Sequence, residues 1–485
     1  MPLRRVIGCC AITSALGATH EPVAPSPFPS LAPSSATTTW VVDDDGPANF
    51  ADLPDAVLAA RDGDIILLRP GRYGAAQVRA KGLRIIGSGP GSTFLEQRGA
   101  EGPFFAASDL SNQQQLLLAN LTGIGRGRTL ELTRLHGAAL LADLVIDGSG
   151  GARGPVLDQC LAAIVARVAV LPSVSPLDGG NGFTVANGHC ALTQVVAIGA
   201  PGSDGKSPRG HGRAGGNGLA IVDADVEAAW CDWSGGAGGA ALWDVGGPFC
   251  PEAATAGPGG AALSIAGRAS LRLAGDGRQQ LRGGDGGAAT LNPWEKCWSF
   301  AGDAGPAVRL RGDVDVNGLQ VSGVVLSAGA PGAGDAERPG KAAPTIEPID
   351  ATLGDPARRW PLLAVETIGA PDGMVEVRIL GSPGDRVTLL VGQDLVGVPL
   401  KKSEGFRLHL GSAHLSSLPQ PQPIGADGEM RIRARLPAEA TLVGSCFGVQ
   451  AVIQRRMLGG RQRLVSNVDL VVVADGGGRA AVAER

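Results

Sequence analysis

The chain predicts a repetitive, glycine-turned all-β fold, and three observations carry that expectation. Glycine supplies 75 of 485 residues and proline 34, so turns are abundant. Hydrophobic residues make up 44% against 4% aromatic and 18% charged, which implies an aliphatic core and argues against disorder. Short blocks of alternating residues recur: Gly182-Phe183-Thr184-Val185, Gly218-Leu219-Ala220-Ile221, Ala262-Leu263-Ser264-Ile265 and Ala307-Val308-Arg309-Leu310, at offsets of 36, 44 and 45 residues. There is no three-residue glycine period, so collagen is excluded. A chain this long needs two or three domains, and a formal charge of −4 leaves no basic footprint for nucleic acid.

The N-terminus has the layout of a signal peptide over residues 1–18. Arg4 and Arg5 precede a 13-residue apolar run, 6–18, and Ala15-Leu16-Gly17 offers small residues for cleavage. Val6-Ile7-Gly8-Cys9 also spells a lipoprotein box, but it lies too close to Arg5 for an apolar stretch to precede it. Residues 19–39 are a Pro/Ser/Thr-rich tether. No later stretch reaches 18 apolar residues, so no transmembrane segment is expected. The expectation is export, either secreted or to the cell surface. Cleavage would leave six cysteines, Cys160, Cys190, Cys231, Cys250, Cys297 and Cys446, an even set in a compartment that permits disulfides. None is spaced like a zinc knuckle.

After the tether, Thr39-Trp40-Val41-Val42 reads as a strand and Asp43-Asp44-Asp45-Gly46-Pro47 as a turn. Residues 50–60 place Leu53, Ala56, Val57 and Ala60 on one helical face, with Pro54 at the helix start. Arg61-Asp62-Gly63-Asp64 stops that helix, Ile65-Ile66-Leu67-Leu68 is a strand, Pro70-Gly71 turns it, and Leu83-Arg84-Ile85-Ile86-Gly87 follows. With Tyr73, Lys81, Gly82 and Gly89, this order resembles the entrance to the right-handed parallel β-helix proteins of the pectin-lyase-like superfamily. The resemblance covers about fifty residues and implies fold rather than chemistry. It implies a right-handed parallel β-helix over 40–340, with an amphipathic helix capping its first rung.

The recurring blocks then read as rungs, each closing in glycine-rich sequence at 199–205, 235–239, 283–287 and 329–334. Apolar runs at 116–121, 130–135, 139–146 and 156–171 read as earlier rungs with tighter turns. Loops at one phase of a solenoid are neighbours. Cys250 lies 34 residues after Gly216 and Cys297 lies 37 after Gly260, so a loop-to-loop disulfide Cys250–Cys297 is expected. Cys160 and Cys190 read as sharing a phase and stacking as buried thiols.

Glycine clustering ends near 340, and 341–360 reads as a linker. Strands at 374–380, 386–391, 406–410, 429–436, 446–453 and 468–473, with turns between them, predict a small antiparallel β-sandwich over 361–475. A tail, 476–485, follows.

Many proteins of the resembled superfamily lyse or hydrolyse acidic polysaccharides, which implies paired acids on consecutive rungs or clustered acids with a nearby arginine. Gly210-His211-Gly212 is present, but no paired acids precede it on the rungs. A glycine-rich chain also produces that triplet by composition alone. Asp223 and Asp225 alternate on one strand, with Arg268 and Arg272 on the next rung, a sparse constellation for a Ca2+-assisted lyase. Exposed charges on a rung face are the plain alternative. Gly283-Gly284-Asp285-Gly286-Gly287 echoes calcium-binding turns without their nonapeptide spacing. Five of the seven tryptophans fall at Trp230, Trp233, Trp243, Trp294 and Trp298, beside Asp232 and Glu295. Such rings and carboxylates suit sugar stacking and hydroxyl recognition; the alternative is rings packed onto glycine-rich loops. The sequence thus favours a non-catalytic glycan-binding or adhesive surface protein, with a polysaccharide lyase or glycoside hydrolase as the other reading.

Overall fold

A computed structural model describes residues 37–474 except for internal stretches, the longest being 242–253, 290–298, 348–359 and 394–403. The expected signal peptide and most of the tether lie outside the described residues. The chain is almost entirely β, with one large parallel sheet of 23 strands and two smaller sheets after it.

The parallel sheet consists of three ladders, each strand pairing with the equivalent strand of the next repeat. The first ladder starts with Thr39–Val42, Ile65–Leu68 and Arg84–Ile86, and continues through His189–Thr193, Asp225–Ala229, Ser270–Ala274 and Leu319–Ser322. The second runs from Gly71–Gly74 and Thr93–Glu96 to Asp232–Ser234, Gln280–Arg282 and Val325–Ser327. The third runs from Ala76–Arg79 and Phe105–Ser108 through Phe183–Ala186, Leu219–Val222 and Leu263–Ala266 to Val308–Arg311. Between the early and late strands, Gln115–Ile124, Leu130–Asp147 and Val156–Leu171 run unbroken from one ladder into the next. Thr184, Ala220, Ser264 and Arg309 are successive register partners, which matches the offsets of 36, 44 and 45 read from the sequence. The sheet continues past 340, because Ile346–Glu347 pairs with Val308 and Arg309, so the expected linker begins inside it.

Inward residues of all three ladders, such as Leu141, Leu144 and Leu132, belong to one hydrophobic core. The chain turns between ladders at left-handed residues. Ala80, Asp109, Arg134, Gln159, Asn187 and Asp223 form one column of them; Asn120, Asp143, Arg167, Gln194 and Trp230 form another, all with φ between 49° and 63°. That conformation costs about 1–2 kcal/mol in a non-glycine residue, and the ladder hydrogen bonds on either side enforce it.

Helix α1 (Leu53–Ala59) buries Leu53, Ala56 and Val57 against the first strands, as the periodicity predicts. Asp52 caps its start, and Lys81 Nζ donates to the carbonyls of Val57 (3.1 Å) and Ala60 (2.9 Å) at its end. Asp64, almost fully buried, accepts from the backbone N–H groups of Thr38 and Arg61 and from Trp40 Nε1. Burial pushes its pKa up, but those three donors outweigh burial and hold it below the usual carboxylate value.

In the C-terminal region, Leu362–Val365, Met374–Leu380 and Glu429–Arg435 form one antiparallel sheet. Arg386–Gly392, Cys446–Met457, Gly460–Val465 and Asp469–Val472 are the main strands of the other. Val377 and Ile379 share a core with Leu389, Phe447 and Ile453, so the two sheets pack together. The strand expected at 406–410 falls partly outside the described residues, at Arg407 and Leu408, and a short strand Glu404–Gly405 lies just before it.

This C-terminal module lies on the outer face of the first ladder. Outward residues Ile86, Leu117, Leu140 and Ile164 join Leu390, Leu410, Val468, Leu470 and Val472 in a separate apolar cluster. Over 116–119, 138–142 and 162–166 the first ladder is therefore buried on both faces, which is why these stretches read as continuous apolar runs.

Candidate functional site

The glycine-rich segments form an ordered layer rather than loose loops. They leave the second ladder, turn, and return to the third, with successive passes hydrogen-bonded in rows. In one row Ala200, Gly216, Gly236, Gly260, Gly284, Gly305 and Gly329 each donate to the carbonyl of the pass before, at 2.8–2.9 Å. A second row, three residues farther out, links Arg213, Gly239, Gly257, Gly287, Gly302 and Gly332 in the same way. Other bonds, such as Gly202 to Ala237 and Gly238 to Asp285, join passes of like direction. A β-carbon at Gly236, Gly260, Gly284 or Gly305 would sit about 2 Å from a neighbouring carbonyl oxygen. The three-residue spacing is that of an extended chain with three residues per turn. Gly199, Gly202 and Gly205 keep that spacing, as do Gly302 with Gly305 and Gly329 with Gly332. This local period, absent from the chain as a whole, is the signal that would have identified the layer.

His211 belongs to this layer, where its Nδ1 lies 2.9 Å from Thr255 Oγ1 and accepts from Thr255 N at 3.1 Å. Asp285 accepts from Ala330 N at 2.8 Å and pairs with Arg282, so its carboxylate ties adjacent passes together. Asp204 and Asp303 make the equivalent bonds to Ala240 N and Lys341 N.

Asp223 and Asp225 do not alternate on one strand, since one strand ends at Val222 and the next begins at Asp225. Asp223 occupies a left-handed corner and accepts from Arg268 N at 2.9 Å; Asp225 begins the next strand and bonds Ser270 Oγ. The side chain of Arg272 pairs with Glu227 (3.0 Å). These residues cap rungs and bridge strands instead of converging on a groove.

The tryptophans divide. Trp233 is completely buried in the core of the ladders. Trp230, 8% exposed, sits at a corner and packs with Leu362, Ala364 and Phe406 of the C-terminal module. Neither is the surface platform that the sequence suggested. Asp232 accepts from Gln280 N at 2.7 Å, with its pKa raised by burial. Trp243, Trp294, Glu295 and Trp298 lie outside the described residues, as do Cys250 and Cys297. The bases of their two segments are paired: Ala241 N donates to Ala288 O, and Phe300 N to Ala254 O. Cys160, Cys190, Cys231 and Cys446 are free and buried, and burial pushes the Cys160, Cys231 and Cys446 thiols up to about 12. Cys160 and Cys190 do not share a register, since Ala163 is the partner of Cys190.

An open groove of about 590 Å³ runs between Asp276 and Arg278 on one side and Trp360, Arg378, Asp427 and Glu429 on the other. Burial raises the pKa of Glu429, but Arg378 (3.0 Å) and Arg431 (2.7 Å) outweigh it and hold the carboxyl below its usual value.

Among the described residues, two groups of His, Cys, Asp and Glu bring three ligand atoms within 4.8 Å of one another. One is the exposed turn Asp43–Asp45, where Asp44 accepts from Arg72 N. The other, His189, Glu227 and His409, is buried where the C-terminal module meets the first ladder, and sequence reading missed it. Glu227 stands in register with Ala191 on one side and Arg272 on the other, and His189 with Asp225. His409 arrives from the module 182 residues later and places Nε2 3.2 Å from Glu227 Oε2. Nearby, Arg167 bridges the same contact, with Nε 2.7 Å from Asp143 Oδ1, Nη2 donating to Leu470 O at 2.7 Å, and Nη1 paired with Asp469.

No helix among the described residues is long and apolar enough to cross a membrane. No known protein family and no curated protein matches this chain.

Proposed function

We propose that the chain is an exported, non-catalytic, right-handed parallel β-helix of pectin-lyase-like type, whose glycine layer presents loops to a glycan or to another surface. Three ladders sharing one core support the coiled reading, and the layout of residues 1–18 supports export. The observation that carries the functional reading is the glycine layer itself. Its passes are fastened backbone to backbone, and they lead into the segments 242–253 and 290–298. Those segments hold Trp243, Trp294, Glu295 and Trp298, the residue types that stack on and hydrogen-bond to sugars. The polar residues that an enzyme would use, Asp223, Asp225, His211 and Arg272, are engaged in rung-to-rung bonds.

The test is a panel of acidic and neutral polysaccharides, read for binding and for turnover with and without Ca2+. Saturable binding without product, weakened about tenfold or more by Trp243→Ala or Trp298→Ala, is the expected result. New reducing ends or unsaturated products, lost in Asp225→Asn or His211→Ala, would replace this reading with the enzymatic one.

A further inference from the structure

We propose that His189, Glu227 and His409 form a zinc-binding clasp that fastens the C-terminal module to the parallel sheet. Two imidazoles and a carboxylate are the donors of a three-protein-ligand zinc site. They come from three separated segments, two neighbouring strands of the first ladder and the module, and all are at most 8% exposed. Two donors on one tetrahedral zinc stand about 3.3 Å apart, given bonds of about 2.0–2.1 Å; His409 Nε2 and Glu227 Oε2 are 3.2 Å apart. One ligand atom from each of the three residues lies within 4.8 Å of the other two, and the rings of His189 and His409 are stacked, with centroids 5.4 Å apart and planes 17° from parallel.

The surroundings orient the donors. Arg272 Nη1 takes Glu227 Oε1 at 3.0 Å, which turns Oε2 toward His409. The backbone N–H of His409 is held by Gln450 Oε1 at 3.0 Å, and Gln450 Nε2 donates to Ser466 O at 2.8 Å. Such outer contacts fix ligand orientation in metal sites. Borderline-soft zinc suits two nitrogens and one oxygen better than calcium or magnesium, which prefer all-oxygen cages. An ion here would join the two regions at a point where the apolar contact gives way to polar side chains.

Because the site is enclosed, zinc is offered to the full chain during refolding from a chelated state. The expected result is uptake of one zinc with a rise in the thermal midpoint, and, with cobalt in place of zinc, the intense visible absorption of tetrahedral Co2+. Glu227→Gln and His409→Ala each lower zinc affinity by about a hundredfold or more while the far-ultraviolet dichroism stays that of the native chain. Affinity unchanged in both variants would place the metal elsewhere and overturn the proposal. Should either variant fail to fold, the native chain decides: no metal uptake, or an octahedral cobalt spectrum, overturns it equally.

Discussion

Gly260 has its hypothetical β-carbon 1.9 Å from Gly216 O, while Gly91 has nothing within 4 Å and Gly277, with φ at +92°, has open space but a strained backbone. These three positions separate the reasons for which the chain keeps glycine. Gly260→Ala forces two passes of the layer apart and should cost at least about 1–3 kcal/mol, as overpacking does. Gly277→Ala should cost about 1–2 kcal/mol for a left-handed alanine. Gly91→Ala should be neutral or stabilise by about 0.4–1 kcal/mol through the unfolded chain. Equilibrium denaturation of the three variants checks the order, and equal costs at Gly260 and Gly91 would contradict a close-packed layer. The sequence shows that glycine is abundant but not which glycines are in contact, since that depends on passes brought together over separations that run from 10 residues (Arg213 to Ser203) to 47 (Gly238 to Asp285).

At the level of elements, strands and the capping helix were legible because each has a local signature. Leu53, Ala56, Val57 and Ala60 keep helical spacing, Lys81 and Asp64 close that helix and its neighbouring strand, and Met374–Leu380 alternates cleanly. The corners were not legible. Ala80, Arg134, Gln159, Arg167 and Trp230 carry no turn preference, yet stacking holds them left-handed. The repeat here is 27 to 28 residues rather than the 30 that separate Cys160 from Cys190, so Cys190 pairs three residues beyond Cys160, at Ala163. Register also bears on Cys250 and Cys297, because Thr255 and Phe300 are bridge partners at the base of their segments. Cys250 precedes Thr255 by five residues and Cys297 precedes Phe300 by three, so along the chain each lies within about 18 Å of that bridge. We expect peptide mapping of the protein, folded under oxidising conditions and kept without reductant, to recover a linked Cys250–Cys297 pair, with Cys160, Cys190, Cys231 and Cys446 as free thiols. Two unlinked cysteines at 250 and 297 would remove the staple from the loop-presenting reading.

At the level of the whole molecule, the C-terminal module is a cover as well as a unit with its own core. The sequence separates it at a change of strand spacing, and the structure shows why separation is incomplete: Ile86, Leu117, Leu140 and Ile164 are buried in one cluster with Leu390, Val468 and Leu470 of the module. The signal was present as the loss of alternation in Gln115–Ile124 and Val156–Leu171, which a strand with one wet face would not show. Which surface covers them is a matter of contacts some 300 residues apart, such as Arg167 with Asp469, and one sequence holds no trace of that pairing. A chain ending at 347 should therefore expose a contiguous apolar strip, bind a hydrophobic dye and self-associate. In the full chain, Arg167→Ala should cost about 3–5 kcal/mol, because it leaves Asp143 and Asp469, 7% and 0% exposed, without their cation. Size-exclusion chromatography of the truncated chain and denaturation of the Arg167→Ala variant read the two effects separately. A monodisperse, dye-negative truncation together with a variant of native stability would show that the module merely hangs beside the ladders; the burial of Leu470, Ile86 and Ile164 in one apolar cluster predicts the opposite.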